Sequence, residues 1–224
     1  MISDTKVVAI GGGTGLSTML KGLKLHTHNI TAVVTVADDG GSSGILRSDL
    51  GMLAPGDVRN CVSALAEVDP VMGELLNFRF KDGSLKGHSL GNLFLAALNE
   101  TSSSFDAVKK FSHLTGVVGT VYPVTNESVT LSALLEDGRL IEGESHIGVH
   151  HDGPKNGIVK LMVNPEKPKA VDGVIKALEK ADIIVLGPGS LYTSIIPNLL
   201  VDGVVDAIKK SNAVKIYVCN IMSQ

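Results

Sequence analysis

The chain has 224 residues, of which 44% are hydrophobic and 19% charged, so it can bury a substantial core and is not a disordered protein. Its formal net charge is −3, and its basic residues form no stripe, which argues against a nucleic-acid partner. The two cysteines, Cys61 and Cys219, lack the spacing of a disulfide framework or a zinc site and favour a reducing cytoplasm.

The N-terminal part of the chain predicts a βαβ unit with parallel strands. An apolar run over residues 7–10 is too short for an export signal or a membrane span, so we interpret it as a strand and expect no membrane partner. A glycine turn follows, then a helical pattern over residues 16–25 and a second apolar strand over residues 30–36. A crossover of this kind joins neighbouring strands in parallel.

The remainder predicts helices, an antiparallel hairpin and the second half of the parallel sheet. Apolar residues recur every three or four positions between residues 57 and 100, which is typical of helices. Residues 128–145 alternate around a turn and predict a hairpin, with a third strand at residues 158–163. Then follow helix 171–180, buried strand 183–186, helix 201–210 and strand 214–218. The predicted fold class is α/β, with a parallel sheet core and an added antiparallel hairpin, in a single domain over residues 1–224.

Glycine-rich turns follow three of the predicted parallel strands, at residues 11–15, 38–44 and 187–190. Parallel strands end at one edge of the sheet, where glycine lets backbone N–H groups approach a phosphate and the next helix adds its N-terminal donors. One such turn alone is as often a mere tight connection. Three turns at one edge favour an anionic ligand.

The first turn matches neither common nucleotide motif. It lacks the lysine of a P-loop, and Leu16 stands where the dinucleotide fingerprint has its third glycine. Asp38 and Asp39 end the second strand, where a dinucleotide fold keeps its ribose-binding acid, so a nicotinamide cofactor remains the less favoured alternative. We expect neither NAD nor a flavin.

Asp38 and Asp39 also suit a magnesium ion. Two adjacent carboxylates beside a phosphate hold such a cation through a few bonds and several waters. Ordinary turn chemistry, with Asp38 closing a turn and Asp39 in solvent, explains the pair equally well. By contrast, His150, His151 and Asp152 stand in a stretch with glycine and proline and are interpreted as a solvated loop instead of a metal site.

Polar residues at two predicted helix starts are further candidates for ligand contact. Asp57 is predicted as an N-cap, which leaves Arg59 near a first turn, where its charge opposes the helix dipole. Arg59 is therefore either a partner of a phosphate or loop carboxylate, or a surface residue. Ser89 is predicted as another N-cap, with His88 and Asn92 as candidate contacts. No serine is paired in the sequence with an obvious base.

Several stretches are specific in combination: residues 9–15, 34–44, 55–61, 88–93, 137–144 and 186–201. Together they resemble the YvcK/CofD-like family over nearly the whole chain. The resemblance implies a Rossmann-like three-layer αβα fold that binds a nucleotide diphosphate over its glycine-rich turns.

Two functions diverge within that family. The CofD branch, the 2-phospho-L-lactate transferase type, transfers a phospholactyl group from a guanosine-linked donor to a deazaflavin, with a metal near the loop acids. The YvcK branch, called gluconeogenesis factor, is implicated in carbon metabolism and cell shape and binds UDP-sugars such as UDP-N-acetylglucosamine. The stretches at residues 88–92 and 187–194 resemble the YvcK branch, which implies a regulatory UDP-sugar-binding protein. A metal-dependent transferase remains the alternative, and a homodimer is expected by analogy with the family.

Carried onto this sequence, the resemblance implies both a ligand site and possible catalytic residues. The expected ligand contacts are Gly11, Gly12, Gly13, Thr14, Gly15, Leu16, Gly40, Ser42, Ser43, Asp57, Arg59, Asn60, His88, Ser89, Asn92, Gly187, Pro188, Gly189, Ser190, Tyr192 and Thr193. Asp38 and Asp39 are the expected catalytic and magnesium-binding residues. Ile45 stands where the branch usually has arginine, which removes one phosphate partner but leaves Arg47 and Arg59. Family members also continue beyond Gln224, so we expect a chain truncated at its C-terminus.

Overall fold

The computed structural model describes residues 3–148 and 156–221. Its strands are β1 (Val7–Gly11), β2 (Ile30–Val34), β3 (Thr120–Pro123), β4 (Thr130–Leu135), β5 (Leu140–Glu142), β6 (Ile158–Asn164), β7 (Ile183–Leu186) and β8 (Val214–Tyr217). Its helices are α1 (Thr14–Leu23), α2 (Gly41–Leu50), α3 (Pro55–Leu65), α4 (Pro70–Asn77), α5 (Leu90–Glu100), α6 (Ser104–Leu114), α7 (Glu144–Gly148), α8 (Asp172–Lys180), α9 (Ile196–Leu199) and α10 (Val204–Lys210). A π-helical turn, Leu191–Ile195, leads into α9. None of these helices is long and apolar enough to cross a membrane.

A parallel sheet forms the centre of the fold. Among the described residues its strands lie in the order β3-β2-β1-β7-β8 and all run in the same direction. β1 is buried along its whole length, which fits its continuous apolar sequence in a sheet covered on both faces. From β1, the chain adds β2 and β3 on one side and later β7 and β8 on the other side. The loops after β1 and β7 therefore meet at a topological switch point, where open α/β sheets bind ligands.

Helices cover both faces of this sheet and give three layers. On one face, α1, α3 and α6 bury a core that includes Leu16, Leu65 and Phe111. On the other face, α8 contributes Val174 and Leu178 to a second core. Burying each such side chain contributes roughly 1.5–3 kcal/mol, so the sheet is stabilised from both sides. The predicted Rossmann-like three-layer fold is confirmed.

A small antiparallel sheet, in the order β5-β4-β6, lies beside the main sheet. The predicted hairpin is β4 and β5, with Ala133 paired to Ile141, and the predicted third strand is β6. Leu131 of β4 packs in one apolar cluster with Val36, which follows β2, and with Leu53. The small sheet thus shares a core with the loops around the main sheet.

The structure differs from the sequence prediction at several elements. The prediction of Asp57 as an N-cap is wrong, because α3 begins at Pro55 and Asp57 lies inside its first turn. Proline is favoured at the first helical position, where its missing N–H costs nothing. The sequence pattern does not predict α2, whose glycine- and serine-rich start resembles a loop. It also does not predict α6 or the short edge strand β3.

The two cysteines have different environments. Cys61 of α3 is fully buried, and its thiol donates a weak hydrogen bond to the carbonyl oxygen of Gly12 at 3.7 Å. Burial raises the pKa of the Cys61 thiol, and the charge of Asp57 acts in the same direction. Cys219 follows β8 and is exposed. Cys61 therefore fills the core directly beneath the β1–α1 loop.

Candidate functional site

A polar cleft of about 470 Å³ opens along the carboxyl edge of β1, β2 and β7. Its walls are the loops that follow these strands, the first turns of α1, α2 and α3, and Ser194 of the π-helical turn. The three glycine-rich turns of the sequence therefore meet at one place.

Two helices begin at the cleft without a capping side chain. Gly13 is the N-cap of α1 and Gly40 is the N-cap of α2, and neither first turn contains an acidic residue. The first N–H groups of a helix lack partners within the helix and carry the positive end of its dipole. Both helix starts therefore favour an anion in the cleft.

Gly13 and Gly15 occupy positions where only glycine fits. A Cβ atom on Gly13 would lie 2.2 Å from Oδ1 of Asp57, and one on Gly15 would lie 2.6 Å from the carbonyl oxygen of Pro188. Real side chains do not make contacts this short. The β1–α1 loop can therefore touch α3 on one side and the loop after β7 on the other only because these residues are glycine.

Asp38 and Asp39 direct their carboxylates to different partners. Asp38 lines the cleft, and its Oδ1 accepts the N–H of Gly40 at 3.0 Å, which is turn chemistry. Asp39 does not line the cleft. Its Oδ1 accepts the N–H of Ser145 at 2.9 Å, in the first turn of α7. The two carboxylates therefore do not face one site as a pair.

The carboxylates that line the cleft suit a magnesium ion only if a phosphate binds the ion with them. Asp38 and Glu144 both line the cleft. Across residues 3–148 and 156–221, however, no group of three or more His, Cys, Asp or Glu side chains converges as a metal site. Magnesium needs only one or two carboxylates when phosphate oxygens and waters complete its shell. Asp38 and Glu144 line the cleft and would hold it, and the expected role of Asp39 as a magnesium ligand stays a prediction.

Asp57 is a carboxyl group that titrates near neutral pH. Burial raises its pKa to about 7, and the charges of Asp38 and Glu144 act in the same direction. The N–H of Gly13 and the charge of Arg59 oppose this rise. A group with a pKa near 7 can give or take a proton at neutral pH, so Asp57 has the chemistry of a general acid or base.

Glu144 lines the cleft but is not among the expected ligand residues. It begins α7, the helix whose first turn is bound to Asp39. Burial raises the pKa of Glu144, and the charges of Asp38 and Asp39 add to this, while a hydrogen bond with Thr193 lowers it. The cleft thus gathers carboxyl groups that repel one another, which favours protonation or a nearby cation.

A buried polar network lies beside the start of α2. Oγ of Ser42 lies 3.0 Å from Nδ1 of His88, and Nδ2 of Asn92 donates to Oγ of Ser42 at 3.1 Å. Ser89 is the N-cap of α5, as predicted, and its Oγ accepts the N–H of Asn92 at 3.2 Å. No serine is paired with an obvious base in the sequence, whereas in the structure Ser42 is paired with His88.

Arg59 and Arg79 bring positive charge to the cleft wall. Arg59 is only 7% exposed, so the alternative of a surface arginine is wrong. Its Nη1 donates to Oδ1 of Asn77 at 2.6 Å, and Arg79 donates to the carbonyl oxygen of Gly87. Burial lowers the pKa of Arg59, and the like charge of Arg79 lowers it further.

Arg47 is directed away from the cleft. Its Nε donates to Oγ of Ser128 at 3.1 Å, and its Nη2 donates to the carbonyl oxygen of Val129 at 2.7 Å. The guanidinium therefore joins α2 to the small sheet. Of the two arginines left as phosphate partners by the sequence, Arg59 alone lines the cleft.

Most of the expected ligand residues line the cleft. They are Gly12, Gly13, Thr14, Gly15, Gly40, Ser42, Ser43, Asp57, Arg59, Asn60, Asn92, Pro188, Gly189 and Ser190. The others do not line it, namely Gly11, Leu16, His88, Ser89, Gly187, Tyr192 and Thr193. Contact of either group with a ligand stays a prediction. The sequence stretch His150, His151 and Asp152 lies outside the described residues.

The cleft also contains residues that sequence reasoning missed: Gly41, Gly56, Arg79, Glu144 and Ser194. The first, second and last of these lie within stretches that already carry the resemblance, so extending those motifs would have found them. Glu144 likewise ends the stretch 137–144 that carries the resemblance. Arg79 lies outside all of these stretches, and no local pattern marks it.

Comparison with known proteins gives consistent matches over the whole chain. A family model described as 2-phospho-L-lactate transferase CofD matches residues 7–224. A protein of Thermoanaerobacterium thermosulfurigenes, provisionally named a gluconeogenesis factor, is 58% identical over 224 residues, covering 100% of this chain and 69% of that protein. A protein of Clostridium acetobutylicum with the same provisional name is 53% identical, covering 100% of this chain and 50% of that protein.

The fold is also similar to a solved structure. The crystal structure of a UPF0052 family protein from Bacillus halodurans aligns with a TM-score of 0.94 at 46% identity. The alignment covers 100% of this chain and 71% of that one. The chain thus spans between half and about seven tenths of the length of these relatives.

Proposed function

Because this chain belongs to the CofD family, in its gluconeogenesis-factor branch, we propose that it is a regulatory protein of carbon metabolism and cell shape that binds a nucleotide sugar of the UDP-N-acetylglucosamine type. The observation that carries the proposal is the pair of uncapped helix starts at Gly13 and Gly40, which face one cleft. A diphosphate is the part of such a ligand that suits two helix N-termini.

Different residues of the cleft would hold different parts of the ligand. The backbone N–H groups of Thr14 and Gly15 and of Gly41 and Ser42 would donate to the diphosphate, because those of Gly13 and Gly40 are bound to Asp57 and Asp38. Ser190 and Asn60, which also line the cleft, would flank it. Magnesium, when bound with the phosphates, would neutralise charge between them and the carboxylates of Asp38 and Glu144. The homodimer and the cytoplasmic location belong to this proposal as well.

Titration calorimetry of the whole chain tests the proposal directly. UDP-N-acetylglucosamine, GDP and NAD are titrated in parallel, each with and without magnesium. We expect UDP-N-acetylglucosamine to bind and NAD to show no heat of binding. Binding of NAD, or of GDP alone, would overturn the assignment of the ligand.

A second candidate function is a metal-dependent transferase of the 2-phospho-L-lactate transferase type. It is favoured by Asp57, because a carboxyl group with a pKa of about 7 beside phosphate-binding loops can transfer a proton to or from a reacting hydroxyl. Such an enzyme would release a nucleotide monophosphate from its donor. Sustained release that Asp38→Asn and Asp57→Asn each abolish would replace the purely regulatory proposal.

A further inference from the structure

Three polar residues form one end of the cleft, which we call the arginine end: Arg59, Arg79 and Asn92. Arg59 belongs to α3, Asn92 to α5, and Arg79 to the segment between α4 and α5. None of the three is part of a glycine-rich turn.

The arginine end points away from the β1–α1 loop. Asp57 of α3 faces that loop, because its Oδ1 occupies the place where a Cβ of Gly13 would lie. Arg59 is two residues further along the same helix, and two residues turn the helix through about 200°. Arg59 accordingly contacts Asn77 and lies against Gly91 on the opposite side of α3.

Two buried polar atoms at the arginine end have no hydrogen-bond partner among the described residues. They are Nε of Arg59, a donor, and Oδ1 of Asn92, an acceptor. Both side chains are more than nine tenths buried. Buried polar groups in native proteins are almost always paired, so an unpaired donor and an unpaired acceptor in one cleft wall indicate a missing ligand group.

The charges at this end are also unbalanced. In the part of the chain that the structure describes, neither Arg59 nor Arg79 takes part in an ion pair. Burial lowers the pKa of Arg59, and the negative charge of Asp57, which faces the other side of α3, offsets only part of this decrease. Two guanidinium groups that repel each other gain from an oxyanion placed between them.

We propose that the arginine end binds a carboxylate on the sugar of the ligand, so that the preferred ligand is a nucleoside diphosphate joined to an acidic sugar. This inference rests on the proposed function, because it assumes that the diphosphate lies at the starts of α1 and α2. A carboxylate accepts paired hydrogen bonds from a guanidinium group, which matches two arginines better than a neutral hydroxymethyl group does. A neighbouring sugar hydroxyl would donate to Oδ1 of Asn92.

The test compares UDP-glucose with UDP-glucuronic acid by titration calorimetry on the whole chain. These ligands differ in one group, a hydroxymethyl against a carboxylate. We expect UDP-glucuronic acid to bind about tenfold more tightly, the size of one charge-assisted hydrogen bond. Arg79→Ala should remove most of this preference, because its loss of affinity falls mainly on UDP-glucuronic acid.

Arg79 is the informative position because its side chain is exposed, so its replacement leaves the core intact. Lys81→Ala is the matched control, since it removes an exposed cation two residues away that does not line the cleft. Asn92→Asp is a second variant. It places a negative charge at the unpaired acceptor and should lower the affinity for UDP-glucuronic acid more than that for UDP-glucose.

The outcomes separate this inference from the function it rests on. If neither ligand binds while UDP-N-acetylglucosamine does, the inference alone is overturned. If none of the three binds, the UDP-sugar proposal and the inference both fall. If both bind with equal affinity, the UDP-sugar proposal stands and the inference is overturned. If Arg79→Ala weakens both ligands equally, Arg79 contacts the diphosphate and the inference is again overturned.

Discussion

Asp57 lies where the first turn of α3 meets Gly13, with the charges of Asp38 and Glu144 nearby. An ordinary aspartate titrates at pH 3.8, whereas burial raises the pKa of Asp57 to about 7. Between these values the folded chain binds a proton that the unfolded chain has released. Ionising Asp57 therefore lowers stability as the pH rises through this window. The same ionised carboxylate would repel a phosphate at the start of α1.

Replacing Asp57 with asparagine should stabilise the protein at alkaline pH. Asp57→Asn keeps an oxygen for the N–H of Gly13 but removes the charge, so the free energy of unfolding at pH 8 should rise on the order of 2–4 kcal/mol, with a clearly smaller change at pH 4.5. Urea denaturation at both pH values measures this. Asp49→Asn, which removes an exposed carboxylate of α2, should show no such pH dependence. Equal effects of Asp57→Asn at the two pH values would contradict the raised pKa.

Two glycines of α1 should respond to alanine in opposite directions. Gly15→Ala places a Cβ 2.6 Å from the carbonyl oxygen of Pro188 and should lower the free energy of unfolding by about 1–3 kcal/mol. Gly22→Ala meets no atom within 4 Å and should raise it by about 0.5–1 kcal/mol, because alanine is the better helix former. Chemical denaturation of both variants measures these changes in the free energy of unfolding. A Gly15→Ala variant as stable as the parent would show that the start of α1 does not contact the loop after β7.

At the scale of elements, the short helix α7 depends on a contact from far along the chain. Its first-turn N–H at Ser145 donates to Asp39, which follows β2 of the main sheet. A five-residue helix has little stability of its own. The bond to Asp39 therefore fixes α7 and, with it, the carboxylate of Glu144 in the cleft.

Removing this bond should loosen α7 without unfolding the protein. Asp39→Ala takes away the acceptor, so the free energy of unfolding should fall by about 1 kcal/mol. Hydrogen exchange in residues 143–148 should become faster. Asp39→Asn retains an acceptor oxygen and is the matched control. Unchanged exchange in Asp39→Ala would mean that α7 is held by its apolar contacts alone.

The sequence predicts those parts of the site and fold whose signals are local. Glycine after an apolar strand is such a signal, and so is the alternation that identifies β4 and β5. Arg79 reaches the cleft through tertiary packing, which no local pattern encodes. Glu144 ends a stretch that carries the resemblance, but its place in the cleft depends on how α7 packs. The pairing of Asp39 with Ser145 likewise depends on where the small sheet lies. Helix α2 is missed because glycine and serine, which suit an anion site, are weak helix formers.

At the scale of the molecule, β8 is an edge strand of the parallel sheet among the described residues, and its apolar side chains are exposed. Val214 is 62% exposed, Ile216 42% and Tyr217 48%. A strand edge with free N–H and C=O groups and exposed apolar side chains is a template for pairing with another chain. The opposite edge strand, β3, is instead half covered, with alternate residues buried.

A charge on β8 should therefore reduce self-association. Ile216→Lys places a cation on the strand edge and should lower the concentration-dependent increase in apparent mass seen by light scattering. Leu25→Lys makes the same change at a 70% exposed residue beyond the end of α1 and should have no such effect. If Ile216→Lys leaves the association unchanged, any dimer of this protein uses another surface.

The position of Cys61 allows movement of the β1–α1 loop to be measured by labelling of its thiol. Its thiol is sealed beneath the carbonyl of Gly12, so a thiol reagent can reach it only after the β1–α1 loop has moved. Cys219 is exposed and reacts at once, which supplies a reference within the same molecule. The lag between the two labelling events measures how often the loop opens. A ligand that binds across the loop would lengthen that lag, even if it changed nothing in the spectrum of the protein.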